Sequence, residues 1–287
     1  MRMPTTHTLD VPGAVLTYDV HEPENAGTRL PLFIFGSPMG ASGFAQLVSY
    51  FGDRTVITYD PRMAERSRLL PGGEVTYEIH GDDIHRVAAD AGFGPVDAFA
   101  SSGGAVAALS WVENHPHEIR TLVAHEPPLT VLLDDADTID RVNADIIETY
   151  RDRGYGPAMA KFIQLVSQVA PLPADYLDGP EPEPAQFGLP SDDDGSRDDP
   201  LLGYNMAMPA FRPDAAKLTA SGVRIVPAVG AASEGGMPRR GGEALAALLG
   251  AEPVVFPGDH GGFSANEWAP DNDPAAFAER LREVLDR

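Results

Sequence analysis

Apolar and polar positions along this chain follow two periods that alternate. LFIF at 32–35 is a compact apolar run bounded by Pro31 and Gly36, and the mostly apolar TVITY at 55–59 and VDAFA at 96–100 end at Asp60 and Ser101. Runs of this length, rich in β-branched and aromatic residues, predict strands, and continuous apolar character predicts burial on both faces. Between and after them, residues 77–91 and 105–113 carry apolar positions at helical spacing. An earlier strand is expected at 15–18, antiparallel and near a sheet edge. Another is expected at 122–124, ending in His125-Glu126-Pro127-Pro128. Strands alternating with helices imply an α/β protein with a mostly parallel central sheet flanked by helices.

The rhythm breaks between residues 129 and 215. Two helices are expected there, over 138–151 and 157–169, separated by Gly154-Tyr155-Gly156. Residues 171–200 follow, rich in Pro and Asp and poor in apolar side chains, which predicts an exposed loop. The pattern resumes with a strand at 223–229, a helix around 242–249, a strand at Val254–Phe256 and a last helix at Pro274–Leu285. The expected organisation is one sheet domain, 1–128 and 216–287, interrupted by a helical lid at 129–215. No internal repeat or heptad is present.

Composition narrows the function. With 43% apolar residues in 287, the chain can bury a sizeable core. No apolar run is long enough to cross a bilayer. Arg2 has no apolar stretch behind it, so a secretory signal is not expected and the expected location is the cytoplasm. The absence of cysteine removes disulfides, thiolate metal sites and a cysteine nucleophile. A net charge of −22 repels phosphate backbones, so neither nucleic acid nor a membrane is an expected partner. No histidine pair has metal-ligand spacing with carboxylate support, and no metal or other cofactor is expected. His80 and His85 are assigned to the surface of the 77–91 helix, and His125, at a strand end, to a structural role, with a place in the pocket lining as the alternative.

Candidate chemistry centres on Ala100-Ser101-Ser102-Gly103-Gly104, where a strand runs directly into a helix. Small residues on both sides of Ser102 permit a tight bend that raises its hydroxyl above the sheet. Centring the bend on Ser101 instead would put Phe99 at a small position. At the helix N-terminus the dipole favours developing negative charge, and the Gly103 N–H is placed to meet an oxyanion. Near the C-terminus, His260 lies in the Gly-rich loop Pro257-Gly258-Asp259-His260-Gly261-Gly262, after the last strand. A histidine there can take and return a proton near neutral pH.

These motifs, in this order, resemble the α/β-hydrolase superfamily over almost the whole chain. The resemblance implies the α/β-hydrolase fold, Ser102 as nucleophile and His260 as general base. It also assigns the backbone N–H of Ser37, in Phe35-Gly36-Ser37-Pro38, as second oxyanion donor beside Gly103. Ala100 replaces the usual first glycine, and Phe35 the usual histidine. The acid of the triad is left between Glu126, after the strand at 122–124, and Glu234, after the strand at 223–229, with Asp259 a further option. The implied reaction is cleavage of a small-molecule ester, lactone or thioester, with an apolar or aromatic carbonyl substrate suited to the Met-containing lid. A lyase, cyclase or cofactor-free peroxidase reusing the same pocket, and a non-catalytic receptor, are the rival readings.

Overall fold

The computed structural model describes residues 3–24, 27–265 and 269–287; Arg2 lies outside them. Among the described residues nine strands form one sheet: β1 (Thr5–Val11), β2 (Ala14–His21), β3 (Leu32–Ser37), β4 (Val56–Asp60), β5 (Arg68–Leu69), β6 (Val96–Ser102), β7 (Ile119–His125), β8 (Arg224–Gly230) and β9 (Val254–Phe256). The spatial order is β1-β2-β4-β3-β6-β7-β8-β9, with the short β5 paired to β2. The first strands are antiparallel, and every pairing from β4 through β3, β6, β7 and β8 to β9 is parallel. The strand expected at 15–18 is β2, and it lies one place in from the edge. The edge strand β1 escaped the pattern because five of its seven residues are exposed.

Burial explains the central strands. All six residues of β3 are buried, and alternation splits them. Phe33 and Phe35 join one core with Trp111 and Leu109, while Leu32 and Ile34 join another with Phe99 and Phe277. One core lies under α2 (Tyr77–Ala91) and α3 (Gly103–Asn114), and the other under α1 (Ala45–Ser49) and α8 (Pro274–Leu285). Helix α2 begins where Thr76 Oγ1 accepts from the Ile79 N–H, and it ends at Gly92, whose φ of 75° suits glycine. His80 is a correction: it faces the core and is 1% exposed. Burial pushes its imidazole down to about 3, so it stays neutral.

Between β7 and β8 lie α4 (Ala136–Arg153) and α5 (Tyr155–Val166), then irregular chain and a short π-helical turn, Pro200–Asn205. Ile139, Ile146, Leu165 and Leu202 form a third apolar cluster in this segment, separate from both sheet cores. The chain returns through α6 (Ala215–Ala220) to β8, followed by α7 (Met237–Leu248). No helix among the described residues is long and apolar enough to cross a membrane.

Candidate active site

Ser102 ends β6 and stands at the N-cap of α3, with φ 57° and ψ −133°. Only three non-glycine residues among those described have positive φ, and two of them, Ser102 and Glu126, belong to this site. Such backbone costs on the order of 1–3 kcal/mol and persists where surrounding packing fixes it. That packing is visible at the neighbouring glycines. A Cβ on Gly104 would stand 2.6 Å from the Cα of Gly36, and one on Gly103 would stand 2.8 Å from the Ser37 carbonyl oxygen. Helix α3 therefore lies against the end of β3 at backbone distance. The Ser102 side chain does not cap its own helix, which leaves the hydroxyl available. Ser101 points the other way: its Oγ lies 3.2 Å from His125 Nδ1 and is buried.

His260 and Glu126 are 134 positions apart, and the fold joins them. His260 Nδ1 lies 2.7 Å from Glu126 Oε2. The other carboxylate oxygen, Oε1, accepts from the Gly230 N–H at 2.7 Å. Glu126 is wholly buried, whereas the His260 side chain is 41% exposed. Burial pushes the Glu126 carboxyl up, but the His260 hydrogen bond, the charges of His125 and His260 and the Gly230 N–H outweigh it. The carboxyl is held below its usual range. An ionised carboxylate only accepts, so His260 donates through Nδ1–H, and in the neutral ring Nε2 then holds the lone pair.

Ser102, Glu126 and His260 line one cavity of about 780 Å³. Its floor is the C-terminal edge of the sheet; its roof comes from α4, α5 and the turn ending at Asn205. Phe162, Leu165, Met206, Met208 and Phe211 face it, while Ile146 and Tyr150 pack inside the inserted segment instead. Glu234 also reaches the cavity but makes no hydrogen bond to His260 among the described residues. Asp259 turns to the Gly261 N–H and Asn272. Ser37 and Gly103 are buried behind Pro38 and Ser102, which line the cavity. No Ser102–His260 hydrogen bond is formed among the described residues; the two side chains share the cavity.

Two placements lay beyond sequence reasoning. Asn205 lines the cavity and bonds Ser37, and its only local signal is an amide inside the mostly apolar stretch 201–208. Away from the cavity, His85, His115 and Glu118 converge although their spacing gave no ligand pattern. The two rings stack face to face, 3.7 Å apart at 2°. Their in-plane lone pairs run side by side rather than toward one point, and Glu118 is engaged by His85 and Trp111. His125 is sealed among Phe99, Phe256 and Phe277, and burial pushes its imidazole down to about 4.

No protein-family model matches the chain. Among curated proteins, it is 29% identical to the uncharacterized hydrolase YraK of Bacillus subtilis (strain 168) over 286 residues, covering 98% of this chain and 96% of that protein. Among solved structures, it resembles a thermophilic esterase from Thermogutta terrifontis with a TM-score of 0.65 at 20% identity, over 99% of this chain and 98% of the other. It also resembles the enol-lactonase from Burkholderia xenovorans LB400, with a TM-score of 0.64 at 15% identity, over 98% and 100%. At such identities the likeness is one of fold, which does not carry a substrate with it. Sheet order and whole-chain likeness to these structures show that the protein has the α/β-hydrolase fold.

Proposed function

We propose that the protein is a serine hydrolase that cleaves a small-molecule ester, lactone or thioester through an acyl-enzyme on Ser102. In the first step Ser102 Oγ bonds to the carbonyl carbon while His260 Nε2 takes the hydroxyl proton. The carbonyl π pair moves onto oxygen, where the N–H groups of Ser37 and Gly103 receive it. Collapse expels the alcohol or thiol, which takes the proton from His260. Water then repeats the sequence, losing a proton to His260, and the acid and free Ser102 are regenerated.

The observation that carries this reading is the buried Glu126 carboxylate bonded to His260 Nδ1 at 2.7 Å, beside the strained Ser102 on one cavity. A buried carboxylate stabilises the imidazolium that each proton transfer creates and fixes the tautomer that can act as base. That geometry favours Glu126 over Glu234 as the acid. The mostly apolar walls, with Phe162, Met206, Met208 and Phe211, suit an apolar or aromatic acyl or alcohol part.

The test is covalent labelling followed by turnover. A fluorophosphonate should modify the wild type and leave Ser102→Ala unmodified, and p-nitrophenyl esters of short and medium chain length should turn over only with Ser102 present. Labelling of Ser102→Ala at the wild-type rate, or ester turnover unchanged by the substitution, would refute the acyl-enzyme.

A further inference from the structure

Asn205 belongs to the inserted segment, yet its amide bonds the Ser37 side chain and lies over Gly103, the two residues from which backbone donors are assigned. Its Nδ2 donates to Ser37 Oγ at 3.1 Å. A Cβ built on Gly103 would stand 3.0 Å from the same nitrogen. One amide group thus bonds the tip of β3, lies beside the first residue of α3, and lines the cavity together with Ser102. An amide nitrogen offers two N–H donors. Ser37 Oγ takes one, and the other has no protein partner among the described residues.

The turn that presents this side chain is anchored to the inserted segment rather than to the sheet. Asp199 Oδ1 accepts from the Leu201 and Leu202 N–H groups at 3.0 and 2.8 Å. The Asp199 N–H donates to Tyr150 Oη, on α4, at 3.1 Å. Leu202 is buried in the apolar cluster of α4 and α5. The position of Asn205 is therefore set by how the segment over the cavity packs.

Resting on the serine-hydrolase reading above, we propose that Asn205 is a third oxyanion donor, delivered from the segment over the cavity. Its second N–H binds the substrate carbonyl oxygen as that oxygen gains charge under attack by Ser102. Asn205 forms no covalent bond and moves no proton; it holds negative charge that Ser37 and Gly103 share. Two backbone donors alone would work with the roof in any position. With Asn205 the hole is complete only when the roof is seated over Ser102, which ties transition-state stabilisation to closure of the cavity.

A simple latch is the competing role, in which Asn205 only ties the roof to Ser37, and the two roles separate by experiment. Asn205→Ala, Asn205→Asp and Ser37→Ala are compared with wild type for kcat and KM on a p-nitrophenyl ester, for inhibition by an alkylboronic acid, and for melting temperature. Ser37→Ala removes the latch acceptor and keeps its backbone N–H. As a donor, Asn205 acts on the transition state. Asn205→Ala should then lower kcat by about 10²–10³-fold with KM nearly unchanged, and weaken the boronate by a similar factor. Asn205→Asp, isosteric but anionic, should lose at least as much, and Ser37→Ala should lose far less. The proposal is overturned if Asn205→Ala keeps kcat and boronate affinity near wild type, or loses no more than Ser37→Ala does. Failure of the underlying reading looks different: the wild type itself then shows neither fluorophosphonate labelling nor ester turnover.

Discussion

Replacing Glu126 with Gln puts a number on the buried carboxylate. Glu126 uses both oxygens as acceptors, from the Gly230 N–H and from His260 Nδ1. Gln has one acceptor and one NH2 group, so whichever way the amide turns, one of those two donors meets another donor. Turned toward His260, the oxygen keeps a hydrogen bond but no charge. Turned toward Gly230, it leaves the imidazole against an NH2 group and favours the wrong tautomer. The lost attraction follows from Coulomb's law. Charge centres about 4 Å apart, at an effective dielectric of about 20, attract by about 4 kcal/mol. This applies only when His260 is protonated, which on the proposed path is in and around the transition states. At 1.36 kcal/mol per decade, about 4 kcal/mol is a loss of about 10³-fold in kcat. Steady-state turnover of a p-nitrophenyl ester by Glu126→Gln and Glu234→Gln, with melting temperatures in parallel, reads the result. The expected outcome is a large fall in kcat for Glu126→Gln and a change of less than about threefold for Glu234→Gln, whose carboxylate lies at the exposed cavity rim. Retention of wild-type kcat by Glu126→Gln, or a larger loss in Glu234→Gln, would refute the assignment.

Two further outcomes test the scaffold. Gly104→Ala places a methyl group 2.6 Å from the Gly36 backbone, well inside carbon–carbon contact. The backbone there cannot swing aside as a side chain would, so stability should fall by about 1–3 kcal/mol and kcat should fall as Ser102 is displaced. A Gly104→Ala variant that melts and turns over like wild type would contradict this. Acid sensitivity tests His80, whose ring nitrogens have no partner among the described residues and which burial pushes down to about 3. In the unfolded chain a histidine gains its proton near pH 6.5. Between about pH 6.5 and 4.5 the unfolded state therefore binds one more proton at this residue, and stability falls as pH falls. The fall over that window is about 2–3 kcal/mol. His80→Leu should remove this share, so urea unfolding at pH 7.5 and 4.5 should show a smaller drop than wild type; equal drops would mean His80 is protonated in the fold.

Much of the candidate site was legible because its constraints are local. Ala100 and Gly104 on either side of Ser102, between a strand and a helix, leave room for a cramped bend, and that signal lies within five residues. The Gly-rich loop around His260 reads in the same way. The strands buried on both faces gave a continuous apolar run at 32–35 and, at 96–100, a run broken only by the buried Asp97, which is why they marked β3 and β6, while β1, exposed along most of its length, left no such mark. His80 was misplaced for a related reason. A polar residue at a core position breaks the very periodicity used to find the core, and only the packing of α2 shows it buried.

By itself, then, the sequence determined the alternation of the central strands with their helices, the fold class they compose and the two side chains suited to nucleophile and base, while the edge strand β1 and the short elements β5, α1 and α6 went unread. These follow from backbone sterics and apolar spacing within a few residues. Tertiary structure alone decided which carboxylate meets His260, that Asn205 reaches Ser37 across 168 positions, and that His125 is sealed from the cavity. Each of these is a contact between segments that no short-range period relates. Such a contact exists only because sheet order and the inserted helices bring distant chain ends to one edge.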